Sequence, residues 1–224
     1  MSGKIATRQA YGEALAEFGA DERIVVLDAD LSKSTKTDIF QKKYPERHFN
    51  MGIAEANMMC TAAGFASCGK IVFASSFAMF AAGRAFEMVR NSICYPNFNV
   101  KIGATHAGIS VGEDGASHQA IEDIALMRSI PNMTVISPCD AVSTRFAVKA
   151  AIEKQGPVYL RLGRLAVPQI YDENATFEFG KGVLLKDGTD VSIIANGLMV
   201  QYALEAAKIL EEQNISARVI DIHT

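Results

Sequence analysis

The feature that most constrains the fold is a regular alternation of short, mostly apolar runs with segments of helical spacing. The apolar runs are rich in β-branched residues, as strands are. Between them, segments near 7–19, 53–67 and 140–154 have the length and spacing of helices. Strands separated by helices predict a parallel sheet with helices on both faces, which is an α/β fold. The predicted strands are IVVLDA (24–29), KIVFASS (70–76), NVKIGAT (99–105), MTVISP (133–138) and PVYLRLG (157–163).

The alternation lapses between residues 166 and 179, where Pro168 and mixed polar residues predict a linker. Residues 1–165 then form a first domain that holds all the strands named above. Residues 180–224 resume the alternation, so they predict the start of a second α/β domain. A parallel unit this short cannot cover both faces of a sheet, and we therefore expect the second domain to be incomplete.

Composition argues against several classes of function. The chain has 224 residues and a net charge of −3 without a basic stripe, so we expect no nucleic-acid partner. No apolar run reaches transmembrane length, and the first residues lack the apolar core of a signal peptide. We therefore expect a cytoplasmic protein with no membrane partner.

The four cysteines form no CxxC motif and no paired metal spacing. Three of them lie in apolar segments, where a free cysteine behaves as a small buried hydrophobe. We expect all four to be reduced thiols. They are Cys60, Cys68, Cys94 and Cys139.

Polar residues follow several predicted strands at the point where each strand ends. In an open parallel sheet, ligands bind in the crevice beyond the carboxyl ends of the strands. We therefore expect these side chains to converge on one edge of the sheet. They are Asp28, Asp30, Ser32, Ser34, Ser75, Ser76, Thr105, His106, Arg161 and Arg164.

One carboxylate lies in an otherwise apolar or small-residue stretch, FNMGIAEANMMCTAAGFA at residues 49–66. Between Phe49 and Gly83 only Glu55 and Lys70 are charged, so we expect this helix to be buried on most sides. A buried carboxylate needs a partner or a proton. The ordinary alternative is an exposed carboxylate at the edge of an amphipathic helix, but the surroundings favour a functional role for Glu55.

Two motifs resemble those of one enzyme family. NMGIAEANM (50–58) is similar to the segment of transketolases and related thiamine diphosphate enzymes that carries a glutamate against the coenzyme's aminopyrimidine. THAGISVGEDGASHQAIED (105–123) resembles transketolases more closely still. The resemblance spans essentially the whole chain. It implies the pyrimidine-binding domain followed by the opening of the C-terminal domain.

The resemblance implies a half-site for thiamine diphosphate. Glu55 would hydrogen-bond the pyrimidine ring and so promote loss of the proton from the thiazolium carbon. Phe77 and Phe80 would stack on the pyrimidine, although an apolar pair three residues apart is ordinarily core packing. Asp30 matches an acid near the thiazolium. Gly83 stands where many transketolases have a tyrosine, so one wall of the pocket differs.

The loop at 105–118 presents two histidines and two acids, His106, Glu113, Asp114 and His118, among glycines. A metal site is conceivable, but the spacing matches no standard ligand pattern. A capped surface loop is the simpler interpretation. The resemblance implies instead that Asp114 and His118 contact hydroxyls of the sugar donor, with His118 also placed to move protons, which suits an imidazole near neutral pH.

Four further positions match those with which transketolases grip the phosphate of a sugar phosphate. Each alone would be an ordinary surface residue. Together they offer charge-assisted donors that suit a tetrahedral anion. They are Arg8, Ser34, His106 and Arg164.

The family holds the diphosphate and its Mg²⁺ with a GDG motif and a downstream asparagine in a separate domain. No GDG occurs in this sequence, and GEDG at 112–115 lies inside the substrate loop. The resemblance therefore implies that Mg²⁺ is held by a partner, the N-terminal subunit of a split transketolase with the diphosphate-binding domain. We expect a homodimer or a heterotetramer, because an exposed half-site with apolar helices favours association.

These observations lead to an expected function. The chain, with its partner, would transfer a two-carbon ketol unit between sugar phosphates. One alternative is a subunit of another thiamine diphosphate enzyme, either deoxyxylulose-phosphate synthase-like or the beta subunit of a 2-oxo acid dehydrogenase. Another is a catalytically inert assembly partner with the same fold.

Overall fold

The first domain is built on a six-stranded sheet whose strands are all parallel, as predicted. The computed structural model describes residues 3–224. The strands are β1 (Ile5–Ala6), β2 (Ile24–Asp28), β3 (His48–Asn50), β4 (Ile71–Phe77), β5 (Val100–Thr105), β6 (Thr134–Ile136), β7 (Val158–Arg161), β8 (Ala166–Val167), β9 (Val183–Lys186), β10 (Val191–Ala195) and β11 (Ala217–Asp221). The order across the large sheet is β3-β2-β4-β5-β7-β6. The central strands β2, β4 and β5 are buried along their whole length, which explains why they are apolar runs without alternation.

Helices cover both faces of this sheet. They are α1 (Thr7–Phe18), α2 (Ser32–Thr35), α3 (Asp38–Lys43), α4 (Glu55–Ser67), α5 (Phe86–Met88), α6 (Asp123–Arg128) and α7 (Ala141–Glu153), while α8 (Met199–Glu211) packs against the smaller sheet described below. On one face, α1, α3 and α7 contribute Leu15, Phe40 and Val148 to a common core. On the other face, α4 and α6 pack with the segment 79–94 in a second core that includes Met58 and Met127. Two cores on opposite faces are the expected result of α/β alternation.

Helix α4 differs from the prediction of a helix buried on most sides. Its inner face, with Met58 and Met59, is buried, while Cys60 on the opposite face is exposed. Cys68, at the end of the helix, is exposed as well, whereas Cys94 and Cys139 are buried. All four cysteines are free thiols. The absence of charge on the exposed face of α4 therefore does not mean that the helix is enclosed by this chain.

The segment after β4 reads as one regular helix but forms wider turns. Residues Met79–Arg84 and Val89–Cys94 are π-helical, with the short helix α5 between them. The hydrogen bond from Ala85 N to Phe80 O, 3.2 Å, spans five residues. Such π-helical insertions are frequent at functional sites, and this one carries Phe80 and Arg84.

The remainder of the chain forms a smaller unit with a three-stranded sheet of order β10-β11-β9, against which α8 packs. Strands β10 and β11 are parallel, but β9 is antiparallel to β11, so this sheet is mixed rather than parallel. At the start of the predicted linker, β8 pairs with β1 near the N-terminus. Across residues 3–224, every helix is too short or too polar to span a bilayer.

Candidate active site

Glu55 is buried at the first residue of α4, with 2% of its surface exposed. The start of a helix favours a negative charge, because the free N–H groups there carry partial positive charge. The side chain also has a partner within the chain. Arg84 Nη1 donates to Glu55 Oε2 at 3.0 Å. The expectation that a buried carboxylate needs a partner is met by a residue that the sequence analysis did not single out.

Arg84 links the carboxylate to an aromatic face. Its guanidinium carbon lies 5.0 Å from the centroid of the Phe80 ring, within the range of a cation–π contact. Phe80 in turn lies 6.0 Å from Phe77, with the ring planes 15° apart. The signal for Arg84 was present in the sequence: it is the first charged residue after the uncharged stretch that follows Lys70.

His106 lies directly behind the aromatic pair. Its ring centroid is 3.8 Å from that of Phe77, and its backbone has a left-handed φ of 57°, which is unusual for a residue other than glycine. Phe77 is buried beneath this ring, while Phe80 is only partly buried. Phe80 is therefore the more accessible of the two phenylalanines.

The protonation of His106 follows from its neighbours. Arg8 Nη1 lies 3.3 Å from His106 Nε2, and because a guanidinium only donates, Nε2 accepts. The proton is then on Nδ1, which donates to Thr105 Oγ1 at 3.0 Å. Burial and the nearby positive charge of Arg8 lower the pKa of His106 to about 4. His106 is consequently a neutral imidazole near pH 7.

Arg8 and Arg164 form a cationic pair at the same edge of the sheet. Burial and the charge of Arg164 lower the pKa of Arg8 from its usual value. Arg8 Nη1 donates to the main-chain oxygen of Ser34 at 2.9 Å, while its Nε is buried without a hydrogen-bond partner. Arg164 Nη2 donates to the exposed carboxylate of Glu113 at 3.2 Å. Of the four residues predicted to bind phosphate, Arg8, Ser34 and His106 are thus in contact.

The loop acids and histidine lie on the open side of this group. His118 meets the Phe80 ring edge-on, with centroids 5.2 Å apart, and its Nδ1 lies 3.0 Å from Ser117 Oγ. Asp114 is exposed on a short 3₁₀ turn. Its negative charge opposes the lowering of the pKa values of His106 and Arg8.

Asp30 is held in an exposed loop after β2. Its backbone has a left-handed φ of 64°. Two hydrogen bonds join it to Asn50: Asp30 N donates to Asn50 Oδ1 at 3.1 Å, and Asn50 Nδ2 donates to Asp30 Oδ1 at 2.8 Å. The loop is fixed from below by Asp28, which accepts from Leu31 N and Thr35 Oγ1. Burial raises the pKa of Asp28 above its usual value.

The prediction that all polar residues after the strands converge is wrong for several of them. Asp28 turns inward to brace its own loop. Ser75 lies 2.8 Å from the hydroxyl of Tyr11 on the α1 side of the sheet. Arg161 Nε donates to the buried Asp123 at 2.9 Å. Successive residues of a strand point to opposite faces, so position after a strand selects an edge but not a direction.

The remaining edge has a definite chemical character. It offers a partly exposed aromatic face on Phe80, a buried carboxylate beside it, and a group of cations with one unpartnered buried N–H on Arg8. This combination fits a flat, nitrogen-containing ring and a separate anion. Within residues 3–224, side chains of His, Cys, Asp and Glu form no group of three or more that suits a metal ion.

Comparison with known proteins decides the family. A profile of the transketolase pyrimidine-binding domain matches residues 3–169. The chain belongs to the transketolase family. A profile of the transketolase C-terminal domain matches residues 180–224 of this transketolase-family chain. Enzymes of this family depend on thiamine diphosphate.

Relatives extend over nearly the whole of this transketolase-family chain. A Methanocaldococcus jannaschii protein, whose name describes it as a transketolase C-terminal section, is 57% identical over 97% of this chain and 70% of its own length. The 6-deoxy-6-sulfo-D-fructose transketolase subunit SqwH of a Clostridium species is 42% identical over 97% of this chain and 68% of its own length. A solved structure described as a split gene transketolase, an inactive β4 tetramer, has a TM-score of 0.91 and 61% identity, covering 99% of this chain and 73% of that one.

Proposed function

We propose that the chain is a subunit of a thiamine diphosphate-dependent transketolase that moves a two-carbon ketol unit between sugar phosphates. The observation that carries the proposal is the buried Glu55 beside the partly exposed Phe80 ring, on the same edge as the cationic group of Arg8 and Arg164. A carboxylate beside an aromatic face suits the aminopyrimidine. A separate anion site suits the phosphate of a sugar.

The coenzyme's other half belongs, in this proposal, to a second polypeptide. The site described above supplies an aromatic face and a carboxylate, and residues 3–224 hold no group of three or more His, Cys, Asp or Glu side chains that suits a metal ion. We therefore assign Mg²⁺ and the diphosphate to a partner. The similar structure described as a split gene transketolase, an inactive β4 tetramer, supports this division. We propose that an N-terminal subunit carries the diphosphate-binding domain and that activity requires both chains.

The residues of this chain have distinct roles in the proposal. When bound, thiamine diphosphate supplies a nucleophilic carbon that takes up and releases the ketol unit. Glu55 hydrogen-bonds the pyrimidine ring and holds or releases the proton that the pyrimidine tautomers exchange. Phe80 stacks on the ring, and Phe77 packs behind Phe80. Asp30 orders the loop near the thiazolium.

The substrate residues surround that half-site. His118 and Asp114 bind hydroxyls of the donor, and His118 moves protons at the reacting oxygen. Arg8 and Arg164 bind the phosphate. His106 and Ser34 fix Arg8 through the contacts described above, His106 with its Nε2 and Ser34 with its main-chain oxygen. Because Arg8 Nε is buried and unpartnered, an anion would supply the acceptor it lacks.

The chemistry of the anion site admits phosphate and sulfonate, since both are tetrahedral oxyanions. The SqwH relative is named for a sulfonated sugar. The assay that tests the proposed function therefore offers three donors to the chain, to its N-terminal partner and to the two together. These donors are xylulose 5-phosphate, 6-deoxy-6-sulfofructose and pyruvate, with ribose 5-phosphate as acceptor.

The proposal expects ketol transfer from xylulose 5-phosphate by the mixture, with thiamine diphosphate and Mg²⁺, and none by either chain alone. Preferred turnover of the sulfonated sugar would support ketol transfer but would show that the substrate carries a sulfonate instead of a phosphate. Turnover of pyruvate would favour a dehydrogenase-like enzyme. No turnover under any condition would favour an inert assembly partner and would reject the proposed function.

A further inference from the structure

The contact between Arg84 and Glu55 bears directly on coenzyme binding. Arg84 covers the Phe80 ring with its guanidinium and donates to Glu55 Oε2. An aminopyrimidine would make the same two contacts, stacking on an aromatic ring and hydrogen-bonding a carboxylate. Both groups are flat, conjugated and rich in nitrogen. They therefore compete for one place.

We propose that Arg84 is a placeholder for the coenzyme: its guanidinium occupies the pyrimidine position of the half-site and leaves when thiamine diphosphate binds. This inference rests on the proposed function, because it names what regulates the same site. Before coenzyme binds, Arg84 satisfies a carboxylate that is 2% exposed. After it binds, the pyrimidine takes over that role and Arg84 swings into solvent.

The structure makes such a departure easy. The Arg84 side chain is 55% exposed, and Glu55 is its only hydrogen-bond partner among the described residues. Gly83 next to it has no side chain, and an added Cβ would meet only the flexible end of Met79, at 3.0 Å. The wall that a tyrosine forms in many transketolases is thus open here.

Arg161 makes a more enclosed ion pair, which serves as a comparison for Arg84. The Arg161 side chain is 19% exposed and donates through Nε to Asp123, which also accepts from the Tyr159 hydroxyl at 3.0 Å. That carboxylate shares two donors in a closed cluster. Glu55 has one donor that reaches in from solvent. The comparison favours a temporary role for Arg84.

Binding of thiamine diphosphate to the assembled complex tests the inference without measuring turnover. Isothermal titration calorimetry with saturating Mg²⁺ compares the wild type with Arg84→Gln and with Arg90→Gln, a control at an exposed arginine on the next π-helical segment. Coenzyme binding to the wild type must first break the Arg84 contact. We therefore expect Arg84→Gln to bind about threefold to tenfold more tightly, as expected for loss of a partly exposed ion pair, and Arg90→Gln to bind like the wild type.

A third variant separates charge from shape. Arg84→Lys keeps a positive charge near Glu55 but lacks the flat group that covers Phe80, so we expect an affinity between those of the wild type and Arg84→Gln. It also serves as the test if Arg84→Gln does not fold. Unchanged or weaker binding by these variants would overturn the placeholder role while leaving the proposed function intact. If the wild-type complex bound no thiamine diphosphate, both proposals would fail.

Discussion

Two buried carboxylates in this chain are stabilised in opposite ways. Asp140, which precedes α7, accepts four hydrogen bonds: from Ser143 N at 2.8 Å and Oγ at 2.7 Å, and from the main-chain N–H groups of Ile170 and Tyr171 at 2.8 and 2.9 Å. Glu55 accepts one, from the solvent-exposed Arg84. The first carboxylate is complete within the fold. The second has a single donor from an exposed side chain, and we propose that it is the functional acid.

The largest effect that we expect is the loss of catalysis in Glu55→Gln. Glu55→Gln keeps the shape of the side chain and an acceptor for Arg84 but cannot exchange a proton with the pyrimidine. We expect ketol transfer by the assembled enzyme to fall by about 10²-fold to 10⁴-fold, the range typical for loss of an acid–base group. Urea denaturation should show an unchanged fold, and Glu87→Gln, at an exposed acid after Gly83, should retain full activity. Full activity of Glu55→Gln would remove its proposed role.

For Asp140 we expect a loss of stability, in contrast to the loss of activity expected for Glu55. Asp140→Ala removes the cap of α7 and leaves the N–H groups of Ile170 and Tyr171 without their acceptor. We expect the free energy of unfolding to fall by about 2–4 kcal/mol, measured by urea denaturation. Asp172→Ala, at an exposed site nearby, should change it by less than about 0.5 kcal/mol. A loss as small as that of the control would show that Asp140 is not the structural acid described here.

We expect the stability of the folded chain to depend on pH through His106. Its pKa is lowered to about 4 in the folded protein by burial and by Arg8, whereas an unfolded histidine titrates near its usual value. The stability from its neutral form is therefore fully present above the unfolded pKa and is lost as pH falls toward the folded pKa.

We expect the urea midpoint of the wild type to fall as pH is lowered from 7 to 4, and the midpoint of His106→Asn to fall less. Asparagine is the suitable replacement because it tolerates the left-handed backbone at this position. Parallel pH profiles for the two proteins would contradict the assignment of a buried neutral imidazole.

The smallest effect concerns the exposed partner of Arg164. The Glu113 side chain is 84% exposed, and such surface pairs contribute little to stability. Glu113→Gln should free Arg164 for the substrate and lower KM for xylulose 5-phosphate by about twofold or less, with kcat unchanged. Arg164→Gln should raise the same KM by about tenfold or more, since it removes a charge-assisted contact. A raised KM in Glu113→Gln would indicate that the pair itself holds substrate.

Much of the fold could be predicted from the sequence because strands that are buried on both faces of a sheet appear as continuous apolar runs. The strands β2, β4 and β5 are continuous apolar runs, and their parallel pairing is confirmed. The π-helical turns at 79–94 were missed, since the spacing of apolar residues there also fits a regular helix. The exposure of Cys60 and Cys68 was missed because an uncharged helix face reads as buried whether or not the chain covers it.

Three of the residues inferred from the resemblance lie together, since His106 contacts both Arg8 and Phe77, while the roles of the predicted site residues stay predictions. The contacts themselves could not be predicted from the sequence. Nothing in local spacing joins Arg84 to Glu55, which are 29 residues apart and meet only because the π-helical turn passes the start of α4. Nor does the sequence show that Ser34 offers its main-chain oxygen to Arg8 instead of its hydroxyl.

The exchange of the C2 hydrogen of bound thiamine diphosphate for deuterium, followed by NMR in the assembled complex, tests the central role of Glu55 most directly. It reports proton loss from the coenzyme before any sugar is involved. We predict rapid exchange in the wild type and exchange slower by about 100-fold or more in Glu55→Gln. Exchange at the wild-type rate in Glu55→Gln would contradict the account.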